Sequence, residues 1–130
     1  MISPHLRRHS LTAPIGLALA AVCTLTACGE DGPQLSAAGE RGRQVAADNG
    51  CAACHGNQGQ GGIGPTWIGL ADAEVELNDG TMVVANDDYL RRSILDPNAE
   101  QVADYTISMP IAGLEQSQVE DLIAYIRDLK

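Results

Sequence analysis

The sequence predicts a small all-α domain of three to four helices with a short inserted β-hairpin. The segment SQVEDLIAYIRDLK repeats apolar side chains at helical spacing, and NDDYLRRSILDP begins with an asparagine that can cap a helix. Before them, AEVELNDGTMVVA places two short strand-forming runs around the turn sequence NDG. A further helix is predicted earlier in the chain, in GERGRQVAADN.

The first 27 residues have the layout of a secretory signal. Arg7 and Arg8 form a positively charged head, and the apolar stretch LTAPIGLALAAVCTLTA ends in small residues. Pro14 and Gly16 argue against a stable membrane-spanning helix in this stretch. The signal closes with LTAC, which resembles the lipobox of bacterial lipoproteins. This resemblance implies cleavage before Cys28 and lipid attachment to it. A conventional signal with an unmodified cysteine is the alternative.

Charge restricts the partners of the exported chain. The 130 residues include 8 basic and 17 acidic ones, for a formal net charge of −9. Without Arg7 and Arg8, 6 basic residues would remain and the charge would be −11. Such an acidic surface repels nucleic acid and anionic lipid headgroups, so membrane attachment is expected through the lipid alone. Electrostatically steered partners are expected to present basic patches.

Three segments follow from these features. Residues 1–27 are the predicted lipoprotein signal peptide, residues 28–38 a lipidated N-terminus with a flexible tether, and residues 39–130 the folded domain. The tether is predicted from GEDGPQLSAA, which is small, polar and turn-prone. A domain this small buries a limited core, so help from a metal, a disulfide or a cofactor is expected.

Each element of the domain has its own local signal. The first helix is predicted over 39–49 and ends at Gly50, which can adopt the left-handed conformation. Its small residues Gly39 and Gly42 permit close helix crossing. The third helix begins after Asn86 and stops before Pro97. For the last helix, the sequence predicts a capping box of Ser117 and Glu120.

The cysteines carry the strongest functional signal. Cys23 lies in the signal and Cys28 is the predicted lipid site, which leaves Cys51 and Cys54, with His55 directly after them. Cys-x-x-Cys-His has three interpretations: a zinc half-site, a thioredoxin-like redox pair, and covalent attachment of haem c. Zinc would need further Cys or His ligands, and a redox pair would be expected in a βαβ setting. Haem c accounts for all three residues and is the favoured interpretation.

The segment after the motif, GNQGQGGIGP, has too much glycine for a regular element. The carbonyl of Pro65 could accept a hydrogen bond from the unligated nitrogen of His55, or Pro65 could only shape the loop. Trp67 and Leu70 follow, and one of them could touch the haem edge or simply fill the core.

A haem held by one histidine needs a second axial ligand or keeps an open position. Met82 and Met109 are the candidates, because the domain has no second histidine. Met82 is expected within a strand, where methionine usually serves as packing. Met109 lies in YTISMPIAGL, a segment without clear periodicity, and Pro110 stiffens the chain after it. We therefore expect Met109 as the sixth ligand, with Met82 and an open site as alternatives.

With these motifs in place, the chain resembles the class I cytochromes c. GCAACHGNQGQGGIGPTWIGL, NDGT, YLRRSILDPNA and the MP that precedes the last helix are similar to the cytochrome c domain fused to subunit II of bacterial haem–copper cytochrome c oxidases. The resemblance covers residues 39–129. It implies the class I cytochrome c fold around one covalent haem c, thioether attachment at Cys51 and Cys54, iron ligation by His55 and Met109, and a hydrogen bond from His55 to the Pro65 carbonyl.

The resulting functional prediction is an electron-transfer protein rather than an enzyme. We expect a lipid-anchored monohaem cytochrome c on the extracytoplasmic face of the cell membrane or in the periplasm. Its expected partners are redox proteins such as a quinol–cytochrome c reductase and a cytochrome c oxidase. The alternative is the electron-accepting haem c subunit of an extracytoplasmic dehydrogenase.

Overall fold

The computed structural model describes residues 32–130, so the predicted signal, Cys23 and Cys28 lie outside the described residues. The elements in chain order are α1 (Ala37–Asp48), α2 (Ala52–His55), β1 (Glu74–Glu76), β2 (Met82–Val84), α3 (Asp87–Leu95) and α4 (Gln116–Asp128). Four helices and one two-stranded antiparallel sheet agree with the predicted all-α fold and its inserted hairpin. Among residues 32–130, no helix has both the length and the apolar character needed to span a membrane.

Helix α1 begins two residues before the predicted start. The Ser36 hydroxyl accepts a hydrogen bond from the Gly39 N–H at 3.0 Å, as an N-cap residue does. The Ser36 N–H and hydroxyl both donate to Asp128 Oδ2, at 2.7 and 2.8 Å, and so join the start of α1 to the end of α4. Residues 36–38, which the sequence places in the tether, therefore form the cap and first residues of α1. The sequence Ser-Ala-Ala at residues 36–38 suits either a linker or the start of a helix, because serine caps helices well and alanine has a high helix propensity.

The most extensive helix packing joins α1 to α4, and Gly42 stands at its closest point. A Cβ atom built on Gly42 would lie 1.9 Å from the Asp121 carbonyl oxygen and 2.8 Å from Cβ of Tyr125. Any side chain at this position would push the two helices apart. The close helix crossing expected from the small residues of α1 is thus present.

The hairpin pairs Glu74 with Val84, Val75 with Val83, and Glu76 with Met82. Val75 points into the core, whereas β2 turns Met82 and Val84 outward. Met82 is 56 % exposed, so the expectation that it serves as packing is wrong. The alternation of a strand sends every second residue to the solvent face.

Residues 101–103 are held against the hairpin. The N–H of Ala103 donates to the Glu76 carbonyl at 2.9 Å, and the N–H of Asn78 donates to the Gln101 carbonyl at the same distance. An isolated antiparallel bridge between Leu77 and Val102 lies between these bonds. The hairpin thereby fixes one end of the irregular segment that carries Met109.

The caps of the last two helices differ in how well they were predicted. Asn86 caps α3 as expected, because its Oδ1 accepts from the Tyr89 N–H at 3.0 Å. Helix α4 instead begins at Gln116, and the Gln118 side chain accepts from the Glu115 N–H at 2.9 Å. The predicted Ser117–Glu120 capping box is therefore wrong by two residues. Glu120 lies beyond the first turn and pairs with Arg91.

The core lies between α1, α3, α4 and the hairpin. Its buried apolar side chains are Ala46, Trp67, Val75, Leu77, Ala85, Tyr89, Leu90, Ile94, Val119, Leu122, Ile123, Tyr125, Ile126 and Leu129. The apolar stripe predicted for the last helix, Val119 to Leu129, is fully represented in this set.

The crossing at Gly42 generates a stability prediction. We expect Gly42→Ala to lower the free energy of unfolding by about 2 kcal/mol or more, because the steric cost outweighs the roughly 1 kcal/mol of added helix propensity. Urea unfolding measures this change. Gly32→Ala is the control, since no atom lies within 4 Å of the added methyl group. Equal stabilities of the two variants would contradict the prediction.

Candidate haem site

The Cys-x-x-Cys-His motif forms one helical turn directly after α1. Gly50 adopts a left-handed φ of +74°, which ends α1 and redirects the chain. The Cys51 N–H then donates to the Ala46 carbonyl at 3.0 Å, so the motif is attached to the last turn of α1. Because Cys51, Cys54 and His55 are spaced i, i+3 and i+4 around helix α2, their side chains share one side of this turn.

Both thiols of the motif are free and half-buried. Burial is the main cause of a raised pKa at Cys51, with a smaller contribution from the neighbouring Cys54. The Cys51 sulfur is therefore held as a neutral thiol at neutral pH. Two unpaired thiols one helical turn apart suit thioether attachment to a planar macrocycle.

His55 is buried, and its hydrogen bond specifies its protonation. The distance from Nδ1 to the Pro65 carbonyl oxygen is 2.8 Å. Since a carbonyl only accepts, Nδ1 carries the proton and Nε2 keeps its lone pair. Burial lowers the pKa of His55, and the bond to Pro65 opposes that shift only partly, so the ring is neutral at neutral pH.

The glycine-rich loop holds Pro65 in place. The Gly61 N–H donates to the His55 carbonyl at 2.7 Å, and the Gly64 N–H donates to the Cys54 carbonyl at 3.0 Å. A Cβ atom on Gly64 would lie between 2.9 and 3.2 Å from three atoms of the His55 ring. The backbone at Gly64 therefore lies directly against the imidazole, and a side chain there would displace it.

Trp67 packs on the same histidine. Its ring centroid lies 4.6 Å from that of His55, and the two planes are inclined by only 22°. The backbone N–H of Trp67 donates to the Gly59 carbonyl at 2.7 Å and so closes the glycine-rich loop. Leu70 is partly buried against the core. The contacts of Gly64 and Trp67 with His55 were not predicted from the sequence, in which their nearness to Pro65 is the only signal.

The two methionines lie in different environments. Met109 is half-buried in an irregular segment that runs from residue 104 to 115, as expected for a ligand-bearing loop. Met82 is exposed in β2. Ile107 and Ile111 flank Met109 and are 61 and 67 % exposed.

Among residues 32–130, no three His, Cys, Asp or Glu side chains are grouped so that they could hold a metal ion.

A comparison with protein-family models identifies the family. The model described as Cytochrome c matches residues 39–130, which is most of the chain. The chain belongs to the cytochrome c family. Its helices and hairpin are those of a class I cytochrome c, and its cofactor is one covalent haem c, whose attachment motif Cys51 and Cys54 fit. A comparison with curated proteins gives no match.

The residues of this cytochrome fit that cofactor well. His55 Nε2 makes no hydrogen bond with any residue of the described chain and presents its lone pair, while Nδ1 is engaged by Pro65. A backbone carbonyl on the second ring nitrogen is the usual arrangement for a ligating histidine, since it orients the ring and raises its basicity. The exposed isoleucines beside Met109 give this segment an uncovered apolar surface.

The contact of Gly64 with His55 generates a second prediction. We expect Gly64→Ala to lower the thermal unfolding temperature of the haem-loaded protein and to change the g-values of its ferric electron paramagnetic resonance spectrum. The added methyl group would have to displace the His55 ring. Gly32→Ala again serves as the control. Wild-type unfolding temperature and g-values in Gly64→Ala would contradict the prediction.

Proposed function

We propose that this cytochrome carries single electrons in a respiratory chain while anchored to the extracytoplasmic face of the membrane by a lipid on Cys28. Its donor would be a quinol–cytochrome c reductase, and it would deliver electrons toward a terminal cytochrome oxidase. The observation that carries this proposal is the state of His55, whose Nε2 lone pair is free while Pro65 holds Nδ1 at 2.8 Å. His55 would then hold the iron through Nε2, and Met109 would hold it through its thioether sulfur.

The number of residues that would hold the iron distinguishes electron transfer from catalysis. Haem c supplies one-electron chemistry by cycling its iron between the ferrous and ferric states. If His55 and Met109 both held the iron, they would leave no position on it for a substrate. The Met109 thioether would be a soft ligand that favours ferrous iron, so it would raise the reduction potential relative to a site with two histidines. This is the pattern expected of an electron carrier.

The charges of the domain support a basic redox partner. Every arginine in residues 32–130 forms an ion pair with a carboxylate, at Arg41, Arg43, Arg91, Arg92 and Arg127. Several carboxylates of the same region form no ion pair there, namely Glu74, Glu76, Asp79, Asp96 and Asp104. The uncompensated charge is therefore acidic. A basic docking surface on the donor or acceptor would speed association through complementary charge.

The anchor would keep the domain near the membrane. Seven residues separate Cys28 from Ser36, at which the folded domain begins. Even fully extended, this segment would span at most roughly 28 Å. A lipid on Cys28 would thus confine the cytochrome to the layer in which membrane-bound redox complexes expose their centres, and would raise the effective concentration of each partner.

The ligand assignment is tested by replacing each methionine. We expect Met109→Ala to abolish the long-wavelength charge-transfer band of ferric thioether ligation and to lower the midpoint potential, because a soft ligand is lost. Visible spectroscopy and redox titration measure both effects. Met82→Ala is the matched control and should leave both unchanged, since Met82 is exposed in β2.

Two results would contradict the assignment. An unchanged band and potential in Met109→Ala would show that another group ligates the iron. A five-coordinate high-spin ferric spectrum of the wild-type protein at neutral pH would show an open site and argue against a carrier.

The anchor is tested by mass spectrometry of the protein purified from membranes. We expect one covalently bound haem and an N-terminus at Cys28 that carries acyl groups. Cys28→Ser should release the cytochrome from the membrane fraction without altering its visible spectrum, because the haem residues begin at Cys51. An unmodified Cys28 in the membrane form would contradict lipid anchoring. Stable co-purification with a catalytic subunit would instead favour a role in a dehydrogenase complex.

A further inference from the structure

Trp67 makes a contact that haem attachment does not itself require. Its indole lies nearly parallel to the His55 imidazole, with ring centroids 4.6 Å apart and planes inclined by 22°. Both side chains are buried, at 5 % exposure for Trp67 and 6 % for His55. The hydrogen bond from Nδ1 to Pro65 fixes one edge of the imidazole but still permits it to tilt about that edge. A ring stacked on the face restricts this tilt.

Tyr125 braces the indole from the other direction. Its ring meets Trp67 edge-to-face, with centroids 6.0 Å apart and planes at 87°. Tyr125 belongs to α4, and its Cβ faces Gly42 at the crossing with α1. The contacts from His55 through Trp67 to Tyr125 therefore connect the histidine to the most extensive helix packing of the domain. Movement of the indole toward α4 is therefore opposed by the Tyr125 ring.

We infer that Trp67 is the positioning residue of the iron ligand. Braced by Tyr125, it sets the plane of the His55 imidazole and keeps water away from that ring. The inference rests on the proposed ligation of iron by His55. The three rings do not provide an exit for electrons, because Trp67 is buried and Tyr125 is only 2 % exposed. Their role is to hold the ligand in one orientation.

This role predicts an effect on the iron itself. The orientation of an axial imidazole plane alters the splitting of the iron d orbitals, which the ferric g-values report. Water beside the ligand stabilises the more highly charged ferric state and so lowers the reduction potential. Core packing without a positioning role would change stability and leave both properties as they are.

The test uses the haem-loaded protein with Trp67 replaced by leucine or by phenylalanine. We expect Trp67→Leu to lower the midpoint potential and to shift the ferric g-values, since it removes the stacked ring and admits water. Trp67→Phe retains an aromatic face, so both properties should return toward the wild-type values. Redox titration and electron paramagnetic resonance measure them.

Two further comparisons separate positioning from packing. Leu77→Ala removes a similarly buried side chain, 6 % exposed, from the hairpin; it should lower stability and leave the potential unchanged. Tyr125→Leu removes the brace and should shift the g-values in the same direction as Trp67→Leu. Tyr125→Phe keeps the ring edge and should leave them unchanged.

The outcomes distinguish this inference from the proposed function. Wild-type potential and g-values in Trp67→Leu, together with reduced stability like that of Leu77→Ala, would overturn the positioning role. If Trp67→Leu does not fold, unchanged g-values in Tyr125→Leu would overturn it. A wild-type ferric spectrum without low-spin character would contradict iron ligation by His55 and Met109, and so the proposed function.

Discussion

The close approach of α1 and α4 at Gly42 is the constraint on which the rest of the domain depends. A methyl group at that point would collide with the Asp121 carbonyl, so the two helices can cross only where α1 has no side chain. The crossing fixes the end of α1, from which the Cys-x-x-Cys-His turn emerges through Gly50. It also fixes Tyr125, which contacts Trp67, which in turn covers His55. Helix packing and cofactor chemistry thus share one set of contacts.

Sequence reasoning predicted the elements of this fold better than their ends. The hairpin and the cap of α3 were predictable because a turn sequence and an Asn followed by acidic residues act locally. The starts of α1 and α4 were not, because Ser36 is selected partly by Asp128, which is distant in sequence. At α4, Glu115 and Gln118 form the capping pair in place of the predicted Ser117 and Glu120.

The candidate site shows a similar division. Cys51, Cys54 and His55 could be recognised from their spacing alone, because the haem-attachment motif lies within five consecutive residues. A hydrogen bond from His55 to the Pro65 carbonyl was one of two interpretations of Pro65, the family resemblance implied it, and the structure shows it at 2.8 Å. The roles of Gly64 and Trp67 against the His55 ring could not be predicted, since they depend on how the glycine-rich loop folds back. The exposure of Met82 could not be predicted either, because the pairing register determines which face of a strand is exposed to solvent.

The hydrogen bonds from Ser36 to Asp128 determine where other segments can be attached to this domain. Because they join the start of α1 to the end of α4, the polypeptide enters and leaves the domain at one pole. Segments joined at either terminus would therefore start from the same region of the domain surface. The domain could therefore be fused to other protein segments at this one region and keep its fold.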